Sequence, residues 1–270
     1  MRWVRRDGRS SIGERVAMPV VLLTLAAAPS VAPPARLLSG RTYVAASPDG
    51  TNSGIVAGSR GTVVVDAPSS DLPARDLAAR IRAARGGRPW FLARTRAAPP
   101  SAGDDVLRRA GASPASAGPL DLGGSTVSFE LVRVHPAGDT IVFVAPDDVV
   151  FAGDLVEKNT VPDLSGCDAR AWAQVLDEFL ERHPAAYFVG ARGEPLRALD
   201  VRYLRDYIAG LRLAVEQARG KRESPEALAE RLLTLQRARV GHWTGFDARA
   251  RKNIEAVERE INGPVSPPRR

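Results

Sequence analysis

Residues 133–156, RVHPAGDTIVFVAPDDVVFAGDLV, set a histidine and two Gly-Asp pairs at the ends of two strand-like apolar runs. His135 precedes the first run, Asp139 opens it, and Asp154 closes the second. An imidazole and a carboxylate carried on strand ends amount to half of a zinc site, because a catalytic zinc takes about three protein ligands and keeps a fourth position for water. The remaining donors are scarce: the chain has three histidines and one cysteine, so no thiolate cluster can be built. His183, before Pro184, and His242, in GHWTGF, lie away from this segment and read as helix-end and tail residues. Cys167, in DLSGCDAR, has no histidine close in sequence and reads as a bystander thiol rather than a nucleophile.

Elements able to position such residues are legible along the chain. Residues 41–67 predict three short strands separated by turns at Asp49-Gly50 and Arg60-Gly61. Residues 71–87 predict a helix with Asp71 as N-cap and Leu72, Leu77 and Ile81 facing inward, stopped by Gly86-Gly87. A strand follows at 89–94, then an irregular segment, 99–118, with one short helix and a loop. Three more strands lie between 125 and 153. At 168–182, Trp172, Val175, Leu176, Phe179 and Leu180 recur at i, i+3, i+4, i+7 and i+8, which is one apolar helical face. A last strand falls at 185–191, and the chain beyond about 196 is helical and amphipathic, with Ser224-Pro225 opening a helix. This order predicts a layered α/β domain on which the tail packs or from which it projects.

Composition limits the function classes. At 270 residues, 44% hydrophobic and 26% charged, the chain can bury a full core. Five arginines against Asp7 and Glu14 place +3 of the net +7 in the first 15 residues. The +4 left over is scattered, which argues against a nucleic-acid groove. The basic start is followed by VAMPVVLLTLAAAPSVA, 16–32, too short for a comfortable membrane span and ending in small residues. Residues 1–32 are therefore expected to be a signal peptide, making the protein periplasmic or secreted with no other membrane contact.

Over 41–195 the sequence of elements resembles the metallo-β-lactamase fold. The strand pair with Asn52 and Asp66, the turn His135-Pro-Ala-Gly-Asp139 and the strand end Phe151-Ala-Gly-Asp154 match that family's landmarks in order. The resemblance implies an αββα four-layer sandwich of two mixed β-sheets flanked by helices. It assigns 37–195 to that domain, 196–262 to a C-terminal helical extension and 263–270 to a disordered tail. It also implies seven metal-ligand positions, and five carry other residues. The His-x-His-x-Asp-His segment reads Arg94-Thr95-Arg96-Ala97-Ala98-Pro99, and the closing Gly-His-Gly loop reads Ala191-Arg192-Gly193. Only His135 and Asp154 remain, with Asn52, Asp66 and Asp139 as supports of the pocket.

Two ligands are too few for zinc, alanine and proline side chains offer no donor, and arginine stays protonated. The arginines at three lost positions are expected to converge on Asp154 and to form a buried pair, a guanidinium replacing zinc as counter-charge. The favoured reading is an exported, non-catalytic binding or regulatory protein with no metal cofactor and an arginine-lined pocket suited to a small anion. The other is a zinc-dependent hydrolase with substitute ligands such as Asp104, Asp105 or Asp139.

Overall fold

Short, mostly β-branched runs broken by glycine-containing turns build the first sheet. The computed structural model describes residues 35–115, 118–218 and 223–263, so the predicted signal peptide and residues 264–270 lie outside the described residues. Strands β1 (Arg36–Ser39), β2 (Thr42–Ala46), β3 (Asn52–Ala57) and β4 (Thr62–Val65) form an antiparallel meander. Helix α1 (Asp71–Arg85) crosses over to β5 (Trp90–Ala93), parallel to β4, and α2 (Ala102–Arg109) leads to β6 (Ser113–Pro114). The second sheet holds β7 (Leu120–Asp121), β8 (Thr126–Val132), β9 (Asp139–Ala145) and β10 (Val149–Gly153) in antiparallel order. Helix α3 (Ala169–Arg182) returns the chain to β11 (Tyr187–Gly190), parallel to β10. Three helices close the chain, α4 (Ala198–Ala218), α5 (Pro225–Val240) and α6 (Phe246–Asn262).

The side-chain period of two sorts the central strands between three cores. In β4, Val63 and Val65 face the other sheet while Val64 faces α1 and α2; in β10, Val149 and Phe151 face the first sheet while Val150 and Ala152 face α3. Both sheets are thus covered on both faces, and the layers run helix, sheet, sheet, helix. The α/β class and the four-layer arrangement are as the sequence predicts. Helices α4, α5 and α6 share one core with α3 and the second sheet, including Leu204, Ile208, Leu232, Phe246 and Ile254, so the C-terminal helices pack on the sandwich.

Local differences have local causes. Helix α1 starts one residue earlier than predicted, with Ser70 as N-cap. Its inner face is Pro73, Ala74, Leu77, Ala78 and Ile81, which leaves Leu72 57% exposed in the first turn. Strands β1, β6 and β7 are not legible in the sequence: each is four residues or fewer, too short for a period to register. Helix α2 is opened by a capping box, Ser101 and Asp104 exchanging backbone hydrogen bonds.

One buried polar residue ties the C-terminal helices to the sandwich. Asn253 of α6, fully buried, accepts from the Leu164 N–H at 3.0 Å and donates to the Pro162 carbonyl at 2.8 Å and the Tyr207 hydroxyl at 3.1 Å. Replacing it with alanine would leave those groups buried without partners. Asn253→Ala should therefore destabilise the fold by about 3 kcal/mol, read as a lowered midpoint in urea unfolding; an unchanged midpoint would assign the three contacts no net weight.

Candidate functional site

The site is assembled where the chain leaves β5. The Thr95 carbonyl accepts from the Thr140 N–H at 2.7 Å, and Arg96 bridges antiparallel to Asp139, so residues 95–97 join the rim of the first sheet to the second. At the end of β4, Asp66 adopts φ 58° and takes two hydrogen bonds from Thr95, from its N–H at 2.8 Å and its hydroxyl at 2.7 Å. Across the joint, Gly153 has φ 53°, and a Cβ there would stand 2.3 Å from Thr95 Oγ1. The glycine of Phe-Ala-Gly-Asp is therefore required by the approach of Thr95, and it delivers Asp154 to the rim.

At that rim, Arg96 Nη1 donates to Asp154 Oδ2 at 2.7 Å, with the two side chains 54% and 37% exposed. The other two arginines go elsewhere. Arg94 donates to the carbonyls of Ala98 at 2.6 Å and Pro99 at 3.1 Å and lies 3.5 Å from Asp104. Arg192 donates to the Asp49 carbonyl at 2.7 Å. The expected convergence of three arginines on a buried Asp154 is thus corrected to one half-exposed pair, because Arg94 caps carbonyls of its own loop and Arg192 caps a carbonyl across the rim. Asn52 is a true support: its amide donates to the carbonyls of Gly190 at 3.0 Å and Gly193 at 2.8 Å, clasping β3 to the loop after β11.

His135 and Asp139 form the second half. Asp139, 3% exposed, accepts from the His135 N–H at 3.0 Å, and its Oδ1 lies 2.7 Å from His135 Nδ1. The ring leans on Trp172 with centroids 5.2 Å apart. The hydrogen bond to Asp139, joined by one to Cys167, raises His135 to about 10 against the opposing effect of burial. Burial pushes Asp139 up, but the bonds from His135 outweigh it and hold the carboxyl below its ordinary range. Cys167, 32 positions from His135, is thus a neighbour of the ring with no local signal in the sequence. His183 pairs with Asp148 at 3.0 Å at the end of α3 and His242 is exposed, so neither approaches the site.

The donor set does not fit a zinc ion. Asp154 is taken by a guanidinium, which leaves the His135 ring, oriented by Asp139, as the one other donor of the expected ligand set. Of the candidate substitutes, Asp104 caps α2 and neighbours Arg94, Asp139 holds His135, and Asp105 is exposed. Among the described residues no group of three or more His, Cys, Asp or Glu side chains is arranged to hold a metal ion.

A metallo-beta-lactamase from Pontibacter korlensis has a solved structure that aligns with 65% of this chain and 98% of its own, with a TM-score of 0.56 and 16% identity. The chain has the metallo-β-lactamase fold. No family model matches the chain, and no curated protein matches it. At 16% identity the likeness speaks for the fold and for nothing finer. Within the metallo-β-lactamase fold, the joint at Thr95 and the strand ends carrying His135 and Asp154 form the rim just described.

Two outcomes follow from this geometry. Because the Arg96–Asp154 pair is half-exposed, Asp154→Ala should cost at most about 1 kcal/mol by chemical denaturation, well below the penalty of a broken buried pair; a loss several times larger would show the pair to be shielded. Asp66 behaves differently: burial pushes its carboxyl up to about 6 despite the Thr95 hydrogen bonds, and the Asp154 and Asp104 carboxylates add to the shift. A folded pKa above the unfolded one means a stabilising contribution that is present at about pH 4 and lost as pH rises through about 6. Urea midpoints of Asp66→Asn measured between pH 4 and 7 should lack that part of the parent's decline, whereas parallel curves would place the titration elsewhere.

Proposed function

We propose that the chain is an exported, metal-independent protein of the metallo-β-lactamase fold that binds a small anion, and that it does not hydrolyse substrates through zinc. The observation that carries this reading is the Arg96–Asp154 pair at 2.7 Å: a guanidinium supplies the positive charge that a metal would bring to this carboxylate. The substitution keeps the charge balance and removes the chemistry. Without a metal, water retains a pKa of about 15.7 and is not a nucleophile near neutral pH. Arg96 is more than half exposed, and the bond to Asp154 uses one of five guanidinium donors, so a carboxylate-bearing ligand can share the fork. The basic start and the apolar run 16–32 support export.

Elemental analysis tests the reading directly. Protein dialysed without chelator should carry well under one zinc per chain, and near-stoichiometric zinc would end it. Small dicarboxylates should raise the thermal midpoint of the parent, and this rise should vanish in Arg96→Gln.

A further inference from the structure

Helices α1 and α2 face each other across a cleft with arginine walls and a small apolar floor. On α1, Arg75, Ala78 and Arg82 fall at i, i+3 and i+7, and on α2, Val106, Arg109 and Ala110 fall at i, i+3 and i+4, so each set shares one helical face. These six residues line a cleft of about 370 Å³, with the three arginines exposed to solvent. Both helices are crossovers between parallel strands of one sheet, so they run in the same direction and bring their last turns, with Arg82 and Arg109, to the same end of the cleft. Among the described residues no carboxylate pairs with either of them, while Arg75 shares Asp71 at 3.5 Å. Nearby carboxylates are engaged elsewhere or point away: Asp76 pairs with Arg80 at 2.9 Å, Asp104 caps α2, and Asp105, one turn before Arg109, is exposed without an ion pair. Like charges gathered on one cleft repel unless an anion is placed between them.

We propose that this cleft binds a phosphate ester, the phosphate held between Arg82 and Arg109 and the organic group lying on Ala78, Val106 and Ala110. Two guanidinium forks present more donors than the two oxygens of a carboxylate can accept, and they match the additional oxygen and second charge of a phosphate. The volume lies in the range of small-ligand sites, about 300–1,000 Å³, and an apolar floor with a few convergent polar groups is their usual composition. The same chemistry is presented by a soluble phosphate ester and by the headgroup of an anionic phospholipid. The cleft is separate from the rim: α1 and α2 cover the outer face of the first sheet, whereas Arg96 and Asp154 meet where the two sheets join. Its occupancy therefore does not depend on what the rim binds.

Phenyl phosphate titrated into the full chain at low ionic strength, followed by calorimetry, should saturate a single site. Arg82→Gln/Arg109→Gln should weaken this binding by about tenfold or more. Two controls should bind as the parent does: Arg133→Gln/Arg202→Gln, which removes the same net charge from exposed positions elsewhere, and Arg96→Gln at the rim. Arg82 and Arg109 are exposed, so the double variant should fold by circular dichroism; should it fail to, Arg109→Gln alone takes its place in the comparison. Sedimentation with phosphatidylglycerol vesicles separates the two sources. Vesicle binding that the double variant loses, without phenyl phosphate binding, assigns the lipid headgroup, and the reverse pattern assigns the soluble ester. Binding of neither probe, equal loss in the two double variants, or loss in Arg96→Gln overturns the proposal.

Discussion

Two sheets packed face to face share a core, and at the site rim their strand ends are joined through Thr95, as Asn52 joins them beside β11. The Thr95 backbone carbonyl is committed to Thr140 on the second sheet, while its N–H and hydroxyl are committed to Asp66 on the first. These are groups in a largely buried setting that must be paired somewhere, so the joint is specified by the need to satisfy them. Asp66 accepts a left-handed backbone for this purpose, a conformation that costs a non-glycine residue on the order of 1 kcal/mol. Arg96 reaches Asp154, and the 96–139 bridge forms, only because Thr95 has been set between them.

The C-terminal helices extend the same logic to the opposite side of the site. The segment 159–168 has little regular structure of its own, and its backbone groups find partners on α6 and the turn before it. Val161 N–H donates to the Thr244 carbonyl at 3.0 Å, Arg249 donates to the Val161 carbonyl at 2.7 Å, and Asn253 serves Pro162 and Leu164. A loop pinned at this many points is rigid relative to the sandwich, and rigidity is what lets a residue on a loop keep a fixed distance from one on a strand end. The helical tail therefore shapes the rim without contributing a side chain to it.

Periodicity made the large elements legible. The apolar face of α3 is buried as predicted at Trp172, Val175, Leu176 and Phe179, with Leu180 at its edge, and the central strands stand where β-branched runs predict them. Capping chemistry was legible at Ser224-Pro225, and was present but unread in Ser101-x-x-Asp104. The rim was legible in residue types and not in side-chain destinations. Arg94, Arg96 and Arg192 are equivalent in sequence, yet their partners are set by loops: two carbonyls four and five residues on for Arg94, a distant carboxylate for Arg96, a carbonyl across the rim for Arg192. The stitching of the loop before α3 to Val134, beside His135, has no local signal because it joins segments distant in sequence.

On the metal-free reading proposed above, an arginine at Asp154 changes more than the net charge there. In a zinc site, a carboxylate behind a ligating histidine orients the ring and makes it more basic toward the metal. Asp139 holds His135 in that arrangement, and its hydrogen bond makes the ring more basic toward a proton, pushing it up to about 10. An imidazolium cannot ligate a cation, so any metal arriving at His135 must first expel a proton that Asp139 stabilises. The guanidinium at Asp154 and the imidazolium at His135 thus oppose metal binding by separate routes, one by occupying a ligand and the other by protonating one. A site altered at both points does not recover its affinity when a single ligand is restored, because the remaining cation repels the incoming ion from within the same rim.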